Sequence, residues 1–219
     1  MITLSVLLPI YNEERELAAC LDRVLASQVA YEIVAVDDGS TDTTPQILQR
    51  YHEPRLKIIR HEQNRGKGGG ICTALEHATG DVCVIQDADT EYDPRDYAKL
   101  IEPIEQGRAQ VVYGARDLGT QPLIGHLGNK FLTVMTNLLI GTRLSDMETC
   151  YKVMPTALMR ELKLESRGFE IEPEITAKLG KRHVKIVEVP VTYAPRRDKK
   201  LRRFRDGFKS LYALVKYRF

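Results

Sequence analysis

Residues 82–91 read VCVIQDADTE, a run of β-forming side chains that ends in Asp87, Asp89 and Glu91. Carboxylates this close together repel one another and are costly to bury without a compensating charge. At the carboxyl edge of a parallel sheet, where such folds bind ligands, a divalent cation would compensate them, because Mg²⁺ and Mn²⁺ prefer oxygen ligands. The stretch therefore has two interpretations: a site for a metal ion and a diphosphate, or an ordinary strand-to-turn junction with solvated acids.

Short apolar runs alternate with helical patterns through the first half of the chain. Residues 4–10 and 31–36 are almost wholly apolar, as expected for strands that are covered on both faces. Further strands are predicted at 56–60 and 111–114. The predicted helices follow residue 13, run from a cap at Ser40 or Thr41 to residue 51, span 66–77 and begin near Pro94. This alternation predicts an α/β fold with a Rossmann-like, mostly parallel sheet that is flanked by helices.

The second half of the chain has a less regular pattern. Residues 123–141 form an apolar, helical stretch that Asn129 and Lys130 make too polar to cross a bilayer, so it either lies in a membrane interface or packs on the sheet. Short helices are predicted around 156–162 and 173–179, and a late strand at 184–191. No linker or repeat interrupts the chain. We therefore expect a single domain over residues 1–219, with halves of about 1–117 and 118–219.

Composition restricts the class of protein. The chain has 219 residues, of which 43% are hydrophobic and 28% charged, as in an ordinary globular protein with a substantial core. The four cysteines are scattered without Cys-x-x-Cys spacing, which is typical of reduced thiols in the cytosol. No signal-peptide pattern and no uninterrupted run of about 18–20 apolar residues is visible. The expectation is a cytoplasmic protein, either soluble or peripheral at a membrane.

The glycine-rich residues 65–70 do not match a nucleotide-binding loop of known spacing. They lack G-x-x-x-x-G-K-[ST], and no G-x-G-x-x-G turn follows the first predicted strand, which disfavours kinases, ATPases and dehydrogenases. Glycines at these positions would permit close approach of the backbone to a ligand, while Lys67 supplies a cation. The alternative is a flexible, solvated loop.

Acidic residues follow three of the predicted strands. They are Glu13, the pair Asp37 and Asp38, and the acids of residues 87–91. Because the carboxyl ends of consecutive parallel strands share one edge of a sheet, these acids should converge on one crevice. An Asp beyond a strand end can accept hydrogen bonds from a ribose or a base, whereas a phosphate needs a cation. One acidic group for a nucleoside and another for a metal together suggest a nucleoside diphosphate donor.

The order of these motifs resembles family 2 glycosyltransferases of the GT-A fold. The motifs that carry this resemblance are VLLPIYNE at 6–13, VDDGSTD at 36–42, NRGKG at 64–68 and DAD at 87–89. A narrower set is similar to dolichol-phosphate mannose synthase and related polyprenyl-phosphate glycosyltransferases: YGAR at 113–116, SDMETCYK at 145–152, GFE at 168–170 and EVPV at 188–191. The resemblance covers nearly the whole chain.

The resemblance implies a role for each matching residue. The nucleoside pocket would be lined by Pro9, Tyr11, Glu13 and Asp38. A Mg²⁺ or Mn²⁺ ion on the donor diphosphate would be held by Asp87, Asp89 and Glu91. Cations for the acceptor phosphate would be Arg116 and Lys152. Residues 123–141 would form an interface helix.

The implied reaction is an inverting transfer of a hexose from a GDP- or UDP-sugar to a dolichyl or undecaprenyl phosphate. The enzyme would act peripherally at the cytoplasmic face of the membrane. With the metal, Lys67 or the cations after residue 195 would stabilise the leaving diphosphate. A lipid phosphate is already ionised and needs no strong base. A hydroxyl acceptor would need a carboxylate to take its proton, and Asp146 or Glu148 would then be the candidate.

The C-terminal segment departs from the family pattern. Relatives often carry a Gly-x-Ser-Lys loop here, whereas residues 196–205 hold seven Lys or Arg and one Asp, followed by an amphipathic helix. In this basic tail (residues 196–219), Arg196 and Arg197 suit the geometry of a donor diphosphate, and a surface patch for anionic lipid fits equally well.

Two other functions have weaker support. A nucleotidyltransferase would use a similar sheet and metal, but its phosphate loop normally follows the first strand, where this chain has Tyr11, Asn12 and Glu13. A protein that binds nucleic acid would depend on residues 196–205 alone and would leave the acidic strand ends unexplained. We therefore expect no nucleic-acid partner.

Overall fold

The computed structural model describes residues 2–117, 119, 123–196 and 203–218, and of residues 123, 124 and 203–206 it describes the backbone alone. The strands are β1 (Leu4–Ile10), β2 (Ala30–Asp37), β3 (Leu56–Arg60), β4 (Val82–Ile85), β5 (Val111–Arg116), β6 (Lys152–Pro155) and β7 (Ile186–Val191). The helices are α1 (Leu17–Ala26), α2 (Thr44–Leu48), α3 (Lys67–His77), α4 (Tyr97–Glu105), α5 (Leu123–Ile140), α6 (Thr156–Glu161), α7 (Ile171–Lys181) and α8 (Arg203–Arg218). A 3₁₀ turn at Pro94–Asp96 precedes α4.

Strands β1 to β7 form one sheet in the order β3-β2-β1-β4-β6-β5-β7. Strand β6 runs antiparallel to both of its neighbours, and the other pairings are parallel. The predicted α/β fold with a mostly parallel sheet is therefore confirmed. Sequence patterns predict no strand at β6, because KVMP begins with a lysine, ends in a proline and has no alternation. Only its place between β4 and β5 makes it a strand.

The core lies on both faces of the central strands. Leu4, Val6, Leu7 and Leu8 of β1 are fully buried, which explains why this strand reads as a continuous apolar run. Helix α1 covers one face with Leu17, Cys20, Leu21 and Val24, spaced as one stripe of an amphipathic helix. Burying each leucine contributes about 1.5–3 kcal/mol. This core holds the carboxyl ends of β1, β2 and β4 side by side.

The start of α2 differs from the prediction. The expected cap at Ser40 or Thr41 is wrong, because the helix begins at Thr44, whose backbone N–H donates to Asp42 Oδ1 at 2.9 Å. Ser40 instead accepts a hydrogen bond from the backbone N–H of Asn12 at 3.0 Å. The side chain of Ser40 therefore ties the turn after β2 to the turn after β1. The helix ends at Leu48, short of residue 51.

The segment after β7 crosses the carboxyl end of β4. Tyr193 forms an isolated antiparallel bridge with Tyr92, and the backbone N–H of Ala194 donates to the carbonyl of Glu91 at 2.8 Å. This pairing places Arg196 above the strand ends, although it is distant in sequence. Among the helices that the structure describes, none has the length and apolar character that crossing a membrane requires.

Candidate active site

Acids from the ends of β1 and β4 meet at one guanidinium. Arg196 places Nη1 and Nη2 each 3.2 Å from the Glu13 carboxylate, and its Nη2 lies 3.3 Å from Asp89 Oδ2. Glu16 Oε1 lies 3.6 Å from the same guanidinium. The convergence of Glu13 with the acids after β4 follows from parallel strand ends, but only the chain path after β7 brings the arginine there.

Asp87 is paired with Lys67, the first residue of α3. The Nζ atom of Lys67 lies 2.7 Å from Asp87 Oδ1 and 3.0 Å from Glu172 Oε1 of α7. Burial favours the protonated form of Asp87, yet the Lys67 ammonium holds its pKa below the usual range. The carboxylate is therefore kept ionised by a cation of the chain itself.

Asp89 is in a more negative environment than Asp87. Burial, followed by the charges of Asp87 and Glu91, raises the pKa of Asp89 to about 7, and Arg196 only partly opposes this. An excess of negative charge on oxygen atoms is what a divalent cation relieves. The donor set at the end of β4 thus fits Mg²⁺ or Mn²⁺.

The predicted set of three acidic ligands does not assemble. Glu91 accepts hydrogen bonds from Tyr193 Oη at 3.1 Å and from the backbone N–H of Arg196 at 2.7 Å, so it anchors the segment after β7. Within residues 2–117, 119, 123–196 and 203–218, no group of three His, Cys, Asp or Glu side chains is arranged to hold a metal. Asp87 and Asp89 alone remain, which matches the one or two carboxylates that Mg²⁺ usually takes.

Asp38 organises a loop. Its carboxylate lies 2.7 Å from His61 Nδ1 and accepts from the backbone N–H groups of Arg65 and Gly66 at 2.8 and 2.7 Å. The side chain is almost fully buried, in contrast to the implied place on a nucleoside pocket wall. Asp38 therefore holds the loop of residues 61–66 in place. Tyr11, directly after β1, has 39% of its surface exposed.

The glycines of residues 66–70 are packed against protein. A Cβ atom on Gly66 would lie 2.3 Å from the carbonyl oxygen of Arg167, and one on Gly68 would lie 2.1 Å from that of Ser166. The backbone N–H of Gly68 also donates to Arg167 O at 2.7 Å. The sequence predicts that these glycines let the backbone approach a ligand, whereas in the structure they approach the backbone before α7. This packing brings Lys67 within reach of Glu172.

Arg116 and Asp146 form a buried bidentate pair. Arg116 Nε and Nη2 lie 2.6 and 2.7 Å from the two Asp146 oxygens. The Arg116 guanidinium also lies 5.1 Å from the ring centroid of Tyr193, a cation–π contact. Because both oxygens of Asp146 are occupied and the residue is fully buried, it is poorly placed to accept a proton from a substrate.

Glu148 is the candidate base with a free oxygen. Its Oε1 is enclosed and has no hydrogen-bond partner among the described residues. Burial raises the pKa of Glu148 to about 7, with Glu172 and Asp146 acting in the same direction and Lys152 and Arg116 opposing. Of the two carboxylates that the sequence proposes as a base, Glu148 is the one with an oxygen that lacks a partner among the described residues, although that oxygen is enclosed.

Lys152 is placed differently from the expectation. Strand β6 turns its side chain into the core, where Nζ donates to the carbonyls of Met147 and Thr149 and to Glu172 Oε2. With its three protons engaged and no surface exposed, it holds Glu172 and is not presented to an acceptor phosphate.

Sequence reasoning missed Glu172. This residue bridges Lys67 and Lys152 from the first turn of α7, and nothing in the local pattern around Pro173 separates it from a surface acid. Arg197, proposed as a second diphosphate ligand, lies outside the described residues.

The chain is similar to known proteins over most of its length. The model of the family described as Glycosyl transferase family 2 matches residues 5–148. The chain is 32% identical over 217 residues to the low-salt glycan biosynthesis hexosyltransferase of Haloferax volcanii, covering 94% of this chain and 52% of that protein. It thus spans about half the length of that relative. It is 28% identical over 236 residues to the UDP-N-acetylglucosamine--dolichyl-phosphate N-acetylglucosaminyltransferase of Methanococcus voltae, covering 96% of this chain and 94% of the relative.

Solved structures share the fold. Glucosyl-3-phosphoglycerate synthase from Mycobacterium tuberculosis in complex with UDP superposes with a TM-score of 0.80 at 20% identity, over 99% of this chain and 80% of that one. The same synthase has been crystallised with Mn²⁺ or Mg²⁺. TarS from S. aureus in complex with UDP-GlcNAc gives a TM-score of 0.64 at 21% identity, over 91% of this chain and 60% of that one.

Proposed function

The chain belongs to the family 2 glycosyltransferases, and we propose that it transfers a hexose, with inversion, from a nucleoside diphosphate sugar to a polyprenyl phosphate. The observation that carries this proposal is the charge cluster at the end of β4, where Asp87 and Asp89 lie beside the cations Lys67 and Arg196. Acids for a metal and cations for a diphosphate are what such a donor requires. The dolichyl phosphate in the name of the M. voltae relative supports the acceptor.

Asp87 and Asp89 would hold a Mg²⁺ or Mn²⁺ ion. When bound, the ion would stabilise negative charge on the departing nucleoside diphosphate. Lys67 and Arg196 would orient the same diphosphate and add positive charge where it develops, with Arg197 as a further candidate. A uridine nucleotide is favoured over guanosine by the name of the M. voltae relative and by the UDP complexes of the structural neighbours. Pro9 and Tyr11 would contact its nucleoside.

The acceptor phosphate would meet Arg116. Asp146 fixes the guanidinium of Arg116 through Nε and Nη2, so Nη1 is the group that would bind the phosphate. Because a phosphate monoester is already ionised, its oxygen attacks the anomeric carbon without a general base, and the bond to the donor diphosphate breaks on the opposite face of the sugar.

A peripheral membrane contact would present this acceptor. Helix α5 packs on the protein with Leu132, Thr136 and Ile140 and exposes an apolar stripe of Leu127, Phe131, Val134 and Leu138. Helix α8 packs against α5 and exposes Phe208, Tyr212 and Val215. Lys130, Lys209 and Lys216 are exposed on the same helices. Apolar side chains flanked by lysines match the surface of an anionic bilayer.

Transfer in vitro tests the proposal. The purified protein is incubated with Mn²⁺, a panel of UDP- and GDP-sugars and dolichyl phosphate in anionic vesicles, and the lipid product is detected by mass spectrometry. We expect a glycosylated lipid phosphate that is lost on chelation and in Asp89→Ala. Transfer to soluble saccharides but not to the lipid phosphate would refute the acceptor assignment.

One observation favours a second candidate, transfer to a hydroxyl acceptor. Glu148 has an unpaired oxygen and a pKa raised to about 7, close to the value that suits a general base at neutral pH. Glu148→Gln separates the two reactions. Transfer to a lipid phosphate should keep its rate, whereas transfer to a hydroxyl should fall by about 10²-fold or more.

A further inference from the structure

Each of the two acids after β4 is paired with a cation from a distant segment. Lys67 reaches Asp87 from the start of α3 at 2.7 Å, and Arg196 reaches Asp89 from beyond β7 at 3.3 Å. The carboxylates that would bind a metal are therefore partly neutralised by the chain itself. Lys67 lies against Asp87 Oδ1 and Arg196 against Asp89 Oδ2, so each cation would compete with a metal ion for that oxygen.

Each cation also has a second acidic partner that does not belong to the proposed metal site. Lys67 Nζ lies 3.0 Å from Glu172 Oε1 of α7, and Arg196 lies 3.2 Å from the two oxygens of Glu13 after β1. A cation between two acids therefore occurs twice, once at the start of α3 and once after β7. A cation that leaves Asp87 or Asp89 would therefore keep a counter-charge.

The second partner of Lys67 matters because its ammonium group is largely shielded from water. The side chain of Lys67 is 11% exposed and that of Glu172 is 4% exposed. A buried ammonium without a partner is strongly unfavourable, so Lys67 could not release Asp87 unless another acid held it. Glu172, itself held by Lys152, is fixed in position to do so.

We propose that Lys67 and Arg196 are internal counter-ions that exchange partners when the donor binds, an inference that rests on the proposed function. Without donor they neutralise Asp87 and Asp89. As metal and nucleotide enter together, Asp87 and Asp89 give up these partners, and Lys67 and Arg196 remain on Glu172 and Glu13 beside the diphosphate. Metal binding and nucleotide binding are then strongly coupled, and metal alone binds weakly. Glu172 and Glu13 act as positioning residues.

Binding of Mn²⁺, followed by the electron paramagnetic resonance signal of the free ion with and without UDP, tests this exchange. Without UDP, Lys67→Met and Arg196→Met should each bind Mn²⁺ at least about fivefold more tightly than the wild type, because the competing cation is gone. With UDP they should bind no more tightly than the wild type. Arg108→Met, which removes the same charge from an exposed pair with Glu102, should match the wild type in both conditions.

The role of Glu172 as the second partner of Lys67 is tested by a separate variant. In Glu172→Gln, Lys67 has no alternative to Asp87, so Mn²⁺ binding in the presence of UDP should weaken by at least about fivefold. Binding equal to the wild type would refute the role of Glu172. Lys67→Arg keeps the charge and should keep the coupling between Mn²⁺ and UDP.

The outcomes separate this inference from the function on which it rests. If Lys67→Met and Arg196→Met bind Mn²⁺ without UDP within about twofold of the wild type, the exchange is refuted. If the wild type binds no Mn²⁺ even with UDP, the metal-dependent function fails instead. Should Lys67→Met not fold, Arg196→Met, whose side chain is 22% exposed at the rim, decides the question alone.

Discussion

The rim at the end of β4 and the loop before β6 use the same ion-pair chemistry in different settings. At the rim, Asp87 keeps 30% of its side chain exposed beside Lys67. In the loop, Asp146 is almost completely enclosed beside Arg116, with 1% exposed. Because Asp87 is more open to solvent than Asp146 and Lys67 has a second acidic partner in Glu172, the rim pair can exchange a partner for a ligand, whereas the enclosed Arg116–Asp146 pair resists separation because either charge left alone is costly. The rim pair should therefore exchange with the donor, whereas the loop pair should contribute stability and hold Arg116 in place for the acceptor.

Breaking the buried Arg116–Asp146 pair should cause the largest loss of stability. Arg116→Met leaves the Asp146 carboxylate buried without its bidentate partner, and we expect a loss of about 3–5 kcal/mol in the free energy of unfolding in urea. Arg182→Met is the matched control, because its pair with Glu161 is exposed and should contribute less than about 1 kcal/mol. Equal losses in the two variants would remove the distinction between buried and exposed pairs.

Substitution of Asp89 at the rim should lower activity and leave stability nearly unchanged. Asp89→Asn keeps the shape of the side chain but removes a proposed metal ligand, and transfer should fall by about 10²-fold or more. Its free energy of unfolding should stay within about 1 kcal/mol of the wild type, because repulsion with Asp87 and Glu91 is relieved. A large loss of stability with unchanged turnover would reverse the roles that we assign to the two regions.

The packing of α3 on the segment before α7, which places Lys67 at the rim, can be tested at one glycine. Gly68→Ala should cost about 1–3 kcal/mol in the free energy of unfolding, since the new methyl group would meet Ser166 O at 2.1 Å and force α3 away. Gly128→Ala, in α5 with nothing within 4 Å of the added atom, should instead gain up to about 1 kcal/mol. Similar stabilities for the two variants would show that α3 does not pack tightly on residues 166–168.

In the loop before β6, Glu148 has an oxygen with no hydrogen-bond partner among the described residues. Its contribution to the free energy of unfolding should depend on pH. The pKa of Glu148 is raised to about 7 in the folded chain from an ordinary 4.5, so the folded state holds more protons between these values and loses stability as pH rises through them. Glutamine does not titrate, so Glu148→Gln should not lose stability in this way as pH rises. It should match the wild type near pH 4 and be about 1–2 kcal/mol more stable at pH 8, after allowance for partial exposure. Denaturant midpoints at the two pH values measure this, and a constant difference would contradict the raised pKa.

The local sequence pattern was sufficient to predict most strands in the first half of the chain. The apolar runs of β1, β2 and β4 and the acids that follow them predict both the strands and their shared edge, because a parallel sheet brings its carboxyl ends together. The antiparallel β6 has no such pattern. Its assignment depends on neighbours that are remote in the chain, so sequence periodicity could not show it.

The roles of single charged residues were less predictable. Lys152 and Asp38 look like ligand-binding residues in a motif, yet β6 turns one into the core and residues 61–66 surround the other. Glu172 looks like a surface acid and lies between two lysines. A motif specifies which residue is present, whereas the residues that enclose it decide whether its charge reaches a ligand.

The amino-acid sequence by itself determined the α/β architecture, the family and the acidic edge, because these depend on periodicity and on residues adjacent in the chain. Only the tertiary structure decided which cation faces which carboxylate. Arg196 reaches Glu13 and Asp89 because the path after β7 crosses the end of β4. Pairing between distant charges depends on burial and on distances of a few ångströms, which the order of residues does not contain.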